Sequence, residues 1–285
     1  MTAMMVNGRE IAKQIRNRLS EEIQQLKKKY HTAPLMTPIT IGQNPSSDMY
    51  LRLRNNACTE VGISTNVMHF DADVPEKTIL QAIKSLNDDP SVHGIFIQYP
   101  VPAHLSSNTL MYMVAAEKDI EGFNPENLGK TLSGDEYLVP CTPLSVLTIL
   151  DHEHITLKGK DIVIVNHSNV VGKPLAALLL NRNATVAVCH VFTENLKQYT
   201  CHADILISGA GVMNLITKNH IKDKAIVVDV GIIDTKDGVR GDVDAESVKE
   251  KAAVLTPVPG GVGPVTIACA LQNMVKTYRN CIETV

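Results

Sequence analysis

The sequence predicts an α/β protein of two domains, each built on a parallel sheet. Short apolar runs alternate with longer segments of helical spacing, which is the pattern of βαβ units. Several of these runs are apolar throughout, as strands buried on both faces are. Near 130–145 the composition turns loop-like before the alternation resumes, and this divides the chain at about residue 140.

Taken in order, Ile11, Ile15, Leu19, Ile23 and Leu26 recur at helical spacing and predict an amphipathic helix over about 7–30. "PLMTPITIG" (34–42) is a buried strand, and a helix over about 46–61 is closed by Gly62. "STNVMHF" predicts a strand and "EKTILQAIKSLND" a helix. "VHGIFIQYPVP" is a strand that breaks at Pro100 and Pro102. "LGKTLSGDEYLVPCTP" has loop composition, and a helix begins near Pro143. "KDIVIVNHSNVVGKPLAALLL" gives strand, tight turn and helix. Three more buried strands follow in "ATVAVCHVF", "ADILISGAG" and "KAIVVDVGII", then a Gly/Pro-rich loop and a long terminal helix.

Composition narrows the functional classes. The chain has 285 residues, 44% of them hydrophobic, enough for two medium cores. A net charge of −3 without a basic block offers nothing to nucleic acid or an anionic membrane surface. "MTAMMVNGREIAKQ" turns charged before a signal-peptide core could develop, and no run approaches the 18 apolar residues of a membrane span. Six scattered cysteines without a CxxC spacing suit reduced thiols of a cytoplasmic protein. No metal-ligand spacing is present; Asp151, His152 and His154 read as an exposed helix end.

Chemistry-bearing residues fall in both halves. Tyr50 and Arg54 share a helical face one turn apart, and arginine cannot serve as a base. Gln98 sits at the C-terminal end of a buried strand, where α/β folds place ligands. Asp119 and Glu121 precede a glycine turn and, on composition alone, read as a solvated loop. In the second half, Gly172-Lys173-Pro174 open a helix after a strand and a turn. That is the form of a phosphate-binding βα turn and equally of a plain structural one, since Asn166, His167 and Ser168 stand where the glycine fingerprint needs glycine. The next strand ends at Cys189-His190-Val191, without the acid expected for NAD or the arginine expected for NADP. The loop 257–264, with three prolines and three glycines, is constrained enough to present backbone groups to a ligand.

"NPSSDMYLRLRNNACTEVGI", "GIFIQYPVP", "EKDIEGFNPENLG", "PCTP", "SNVVGKPLAALLL", "GDVDAESV" and "LTPVPGGVGPVTIACAL" resemble, in order and spacing, the methylenetetrahydrofolate dehydrogenase/cyclohydrolase family (FolD-type). The resemblance covers nearly the whole chain. It implies a folate-binding catalytic domain over 1–140, joined by the terminal helix (about 268–285), and a Rossmann-type dinucleotide-binding domain over 141–267, with a cleft between them. It also implies a homodimer that oxidises 5,10-methylenetetrahydrofolate with NADP, or with NAD, and hydrates the methenyl product. Catalysis would fall to Tyr50, Arg54 and Gln98. The folate would be held by Tyr50, Gln98, Pro100, Asp119, Glu121, Pro259, Gly260 and Gly261. The dinucleotide would be held by Asn166, His167, Ser168, Val171, Gly172, Pro174, His190, Val191, Ile232, Gly263 and Thr266.

Four departures from the family pattern fall on five positions. Arg54 stands for the lysine tied to the cyclohydrolase step, which predicts a weakened or absent cyclohydrolase beside a better-preserved dehydrogenase. Glu121 stands for the pterin-binding aspartate, Asn166 for the first glycine of the dinucleotide turn, and His167 and Val191 for residues that meet a 2′-phosphate. A second expectation is a catalytically impaired paralogue that binds folate or nucleotide as a partner protein.

Overall fold

A computed structural model describes residues 2–283 of the chain. They form two compact units. The first comprises Lys13–Lys130, Glu136–Cys141 and the chain from Ile267 on; the second comprises the residues up to Ala12, Thr131–Asp135 and Thr142–Thr266. A short strand β1 (Met4–Met5) belongs to the second unit, and helix α1 (Gly8–Tyr30) runs on into the first.

The first unit is built around strand β2 (Leu35–Ile41). Helix α2 (Pro45–Val61) follows it, then β3 (Ser64–Thr65), β4 (Met68–Phe70), α3 (Glu76–Asp88), β5 (Gly94–Ile97), α4 (Ser107–Met113) and α5 (Pro125–Ser133). Strand β2 pairs in parallel with β5 on one side and with β3 and β4 on the other. Ile39, Ile41, Ile79, Ile83, Ile95 and Ile97 form the centre of its core.

The start and stop of α2 fix where its functional face points. The Asn44 side chain accepts the Ser47 amide at 3.1 Å, Pro45 fills the first turn, and Gly62 ends the helix at φ 88°. The C-terminal end of α3 is closed differently. Lys118 is buried, and its Nζ donates to the carbonyls of Leu86, Asn87 and Asp89 at 3.0, 2.7 and 2.6 Å.

Two local expectations change. The strand expected over 64–70 is split at 66–67, although the Asn66 amide still donates to the Met36 carbonyl. Part of the expected loop is helical: α5 reaches Ser133, and helix α6 (Cys141–His152) starts two residues before Pro143. Leu128 and Leu132 keep helical spacing in α5, but Gly129 between them masks it in the sequence.

The second unit continues with β6 (Asp161–Val165), α7 (Gly172–Asn181), β7 (Thr185–Cys189), α8 (Leu196–Thr200), β8 (Ile205–Ser208) and β9 (Ile226–Asp229). The antiparallel hairpin of β10 (Ile233–Thr235) and β11 (Gly238–Arg240) follows, then α9 (Ala245–Val248) and β12 (Val254–Leu255). The sheet order is β1-β12-β9-β8-β6-β7, all parallel. Strand β1 pairs with β12, so the first residues join this sheet rather than the neighbouring domain that a boundary at 140 gives them. Two residues are too few for a periodic signal.

Chain order reverses at β6, with β7 on one side of it and β8 on the other. A crevice at the C-terminal ends of β6 and β8 is the ligand position such a sheet creates.

The last helix, α10, spans Val262–Glu283 and begins earlier than expected. Residues 284–285 of the expected terminal helix lie outside the described residues. Within the first unit it packs against β5. A Cβ at Gly94 would come 2.3 Å from Met274 Sδ, and Asn273 Nδ2 donates to the carbonyls of Ile120 and Val139.

Candidate active site

In the first unit, α2 carries Tyr50 and Arg54 to the end of β5. Arg54 is 2% exposed. Its guanidinium carbon lies 4.2 Å from the centre of the Phe96 ring and 5.2 Å from that of Tyr50. Arg54 Nη1 donates to Glu121 Oε1 at 2.6 Å, a partly buried charge-assisted bond. Arg54 Nε and Gln98 Oε1 are buried without a partner among the described residues. Gln98 follows β5, and its backbone N–H still donates to Ile39, so it faces the same side of the strand as Phe96 two residues earlier. Its Nε2 donates to the Tyr99 carbonyl at 3.1 Å, and Pro100 beside it is exposed.

The electrostatics follow from burial. Burial is the largest single influence and favours a neutral Arg54, but Glu121, Tyr50 and Cys141 together overcome it and raise the guanidinium's pKa. Burial also raises the Tyr50 hydroxyl, with Arg54 pulling the other way. Neither group can accept a proton near neutrality. The Cys141 thiol donates to the Ile120 carbonyl at 3.2 Å; burial first and Glu121 second push its pKa well up.

Asp119 differs from its neighbour. It is buried, and both oxygens close the loop: Oδ1 accepts the amides of Glu121 and Gly122, and Oδ2 accepts the Asn124 amide and Asn127 Nδ2. Burial pushes its carboxyl up to about 6 against those bonds. This corrects the solvated-loop expectation: Asp119 closes the turn that carries Glu121. A small, partly open space of about 10 Å³ lined by Phe96, Tyr99, Asp119, Glu121 and Phe123 holds no more than a water.

In the second unit, the register Val165↔Cys189 and Val165↔Ser208 brings residues 166, 190 and 209 to one edge of the sheet. Asn166 bridges the ends of β6 and β8 there. Its Nδ2 donates to the Gly209 carbonyl at 2.6 Å, and its Oδ1 accepts Ser168 N, Ser168 Oγ and Gly172 N at 2.8, 2.8 and 3.0 Å. Ser168 takes two further amides of the turn, Val171 N on its hydroxyl and Lys173 N on its carbonyl. The amides opening α7 are thus satisfied by the chain itself. Those of Asn169 and Val170, in the turn before it, have no partner among the described residues.

The rings of His167 and His190 lie 4.6 Å apart, and Val191 and Phe192 beside them are 85% and 80% exposed. The reversal of strand order at β6, the unpartnered turn amides and this exposed ring-bearing edge fit a dinucleotide. The fit runs through the turn and the imidazoles rather than through a bare helix N-terminus. No group of three His, Cys, Asp or Glu able to hold a metal occurs among the described residues.

Family models match both parts of the chain. Residues 6–121 match the catalytic domain of tetrahydrofolate dehydrogenase/cyclohydrolase, and 140–282 match its NAD(P)-binding domain. The bifunctional protein FolD of Methanosarcina barkeri is 46% identical over 280 residues, 98% of this chain and 96% of that protein. The chain belongs to the tetrahydrofolate dehydrogenase/cyclohydrolase family. Among solved structures, the bifunctional FolD of Campylobacter jejuni superposes with a TM-score of 0.95 at 42% identity, covering 98% of this chain and 99% of that one. The Trypanosoma brucei FolD complexed with NADP and an inhibitor has a TM-score of 0.94 at 31% identity, covering 98% of each chain.

Within this family member, the residues singled out in the sequence separate into reachable and buried groups. Tyr50, Gln98, Glu121, Asn166, Ser168, Val171 and His190 are half-buried; Pro100, His167, Val191, Pro259 and Ile232 are exposed. Gly172, Pro174 and Thr266 are buried. A Cβ at Gly172 would sit 2.0 Å from the Asn166 carbonyl oxygen, so its lack of a side chain serves the close packing of turn and helix. Thr266 Oγ1 bonds Ser145 Oγ at 2.9 Å and the Val262 carbonyl.

In the glycine loop, Gly260 adopts φ 107°. Gly261 donates to the Pro257 carbonyl, and its own carbonyl oxygen would be 1.9 Å from a Cβ at Gly8. Gly263 lies in open space. Gly261 is therefore explained by packing; Pro259, Gly260 and Gly263 are accessible.

Sequence reasoning missed three residues. Phe96, which supports Arg54, could have been found from its i−2 relation to Gln98. Cys141 lies buried in the "PCTP" stretch. Asp242 accepts Ser208 Oγ and the amides of Ala210 and Val212, holding the loop after β8, and only tertiary structure reveals it.

Proposed function

We propose that this chain is an NADP-dependent 5,10-methylenetetrahydrofolate dehydrogenase of one-carbon metabolism, with a weak methenyltetrahydrofolate cyclohydrolase. The unit containing Lys13–Lys130 takes the folate, and the unit containing Thr142–Thr266 takes the dinucleotide. The partly buried Arg54–Glu121 pair beside Tyr50 and Gln98, in a chain matched by both domain models of one family, carries this reading.

NADP, held by the turn at Asn166–Val171 and the His167/His190 edge, supplies the hydride acceptor. The chain's own work is orientation: the Tyr50 ring supports the pterin, Gln98 Oε1 accepts a hydrogen bond near the reacting carbon, and Glu121 holds the pterin edge. Hydride transfer needs no base, only alignment. Hydration of the methenyl adduct needs a group that exchanges a proton near neutrality. Arg54 and Tyr50 are both held away from that range. The protein acts as a homodimer in the cytoplasm.

The test is absorbance of reduced nicotinamide from methylenetetrahydrofolate with NADP or NAD. We expect turnover with NADP; none with either dinucleotide at high enzyme concentration overturns the proposal in favour of a binding protein. Decay of methenyltetrahydrofolate should barely exceed the buffer rate, and Arg54→Lys should raise it. An unchanged rate in that variant refutes the role given to the side chain at 54.

A further inference from the structure

The Arg54–Glu121 contact gives the arginine a specific task. Arg54 has little conformational freedom, because its guanidinium is held between the Phe96 and Tyr50 rings and its side chain is 3% exposed. Glu121 is the more accessible partner, with a side chain 15% exposed. Only its Oε1 is bonded, to Arg54 Nη1; Oε2 has no partner among the described residues. The backbone below it is fixed, since Asp119 Oδ1 accepts the Glu121 amide.

A glutamate has one more rotatable bond than an aspartate, and an untethered one would sample several rotamers. Tying one oxygen to an immobile guanidinium removes that freedom. It leaves Oε2 and the outer lone pair of Oε1 as a preset acceptor edge. A 2-amino-4-oxopteridine offers the complement, adjacent N–H donors on the ring nitrogen and the exocyclic amine. Two buried atoms without partners among the described residues, Arg54 Nε and Gln98 Oε1, add a donor and an acceptor.

We infer that Arg54 is a positioning residue for the folate: it clamps one oxygen of Glu121 so that the rest of the carboxylate meets the N–H edge of the pterin. This rests on the dehydrogenase reading above and deepens it. Arg54 acts through Glu121 and leaves the hydride step alone. The arginine and the longer glutamate are thus one matched unit, and the extra methylene is compensated by the clamp.

The test is dehydrogenase kinetics of Arg54→Met, Glu121→Gln and the double variant. Arg54→Met, which keeps the apolar stem between the rings, should raise KM for methylenetetrahydrofolate about tenfold or more. Its kcat should stay within about threefold and KM for NADP should be unchanged. In the Glu121→Gln background the same substitution should add almost nothing, because the clamp has lost its charged partner. Three results overturn the inference: a fall in kcat at constant folate KM, which puts Arg54 at the reacting carbon; effects that multiply in the double variant; or wild-type kinetics. If Arg54→Met does not fold, Arg54→Gln carries the same expectations. If the wild-type protein shows no turnover, the functional reading has failed, and the clamp is judged separately by tetrahydrofolate Kd across the same variants.

Discussion

Replacing Asn166 by alanine removes a side chain that ties together the turn, the start of α7 and the end of β8. Four hydrogen bonds are lost: three donors to Oδ1 and one from Nδ2 to Gly209. At roughly 1 kcal/mol net for each neutral bond, the sum is about 4 kcal/mol. Asn166 is half-buried, so water can satisfy part of what is left, and about 3 kcal/mol is expected. For a unit of this size that lowers the unfolding transition by roughly 6–12 °C. Calorimetry should show the shift in the transition of the nucleotide-binding unit. Asn166→Asp keeps the acceptor for three donors and loses only the Gly209 bond, so it should fall between wild type and alanine. A shift below about 2 °C for the alanine variant would refute the bond accounting. An aspartate variant as unstable as alanine would place the stabilisation in the Gly209 link instead of the turn.

Two further outcomes are expected. Lys118→Met should destabilise the folate unit by about 2–4 kcal/mol in urea unfolding, since it strips three carbonyls at the end of α3 of their donor; a loss under about 1 kcal/mol would show that solvent replaces the ammonium. Asp119 should titrate near 6, followed by its carboxyl carbon resonance. Its folded pKa lies above the unfolded value of about 3.9, so its contribution to stability is present below about pH 4 and is lost as pH rises through 6. A midpoint at or below 4 would mean that its four hydrogen bonds outweigh burial.

The alternation of apolar runs and helical segments determined the α/β class and most element positions, because strand and helix periods are local properties of the chain. The cap of α2 at Asn44 and its stop at Gly62 were legible for the same reason, and they fixed the one-turn relation of Tyr50 to Arg54. Only the tertiary structure decided what those residues meet. That Arg54 grips Glu121, 67 positions away, depends on β5 and the loop after the Ile95↔Asp119 bridge arriving beside α2. That Asn166 bonds Gly209 depends on β8 lying next to β6, although β7 intervenes in sequence. Strand β1 joins β12 across nearly the whole chain, a pairing that two residues cannot announce. Asp119 and Glu121 look alike as neighbouring carboxylates; burial and four donors make one a structural turn former and leave the other an open acceptor edge.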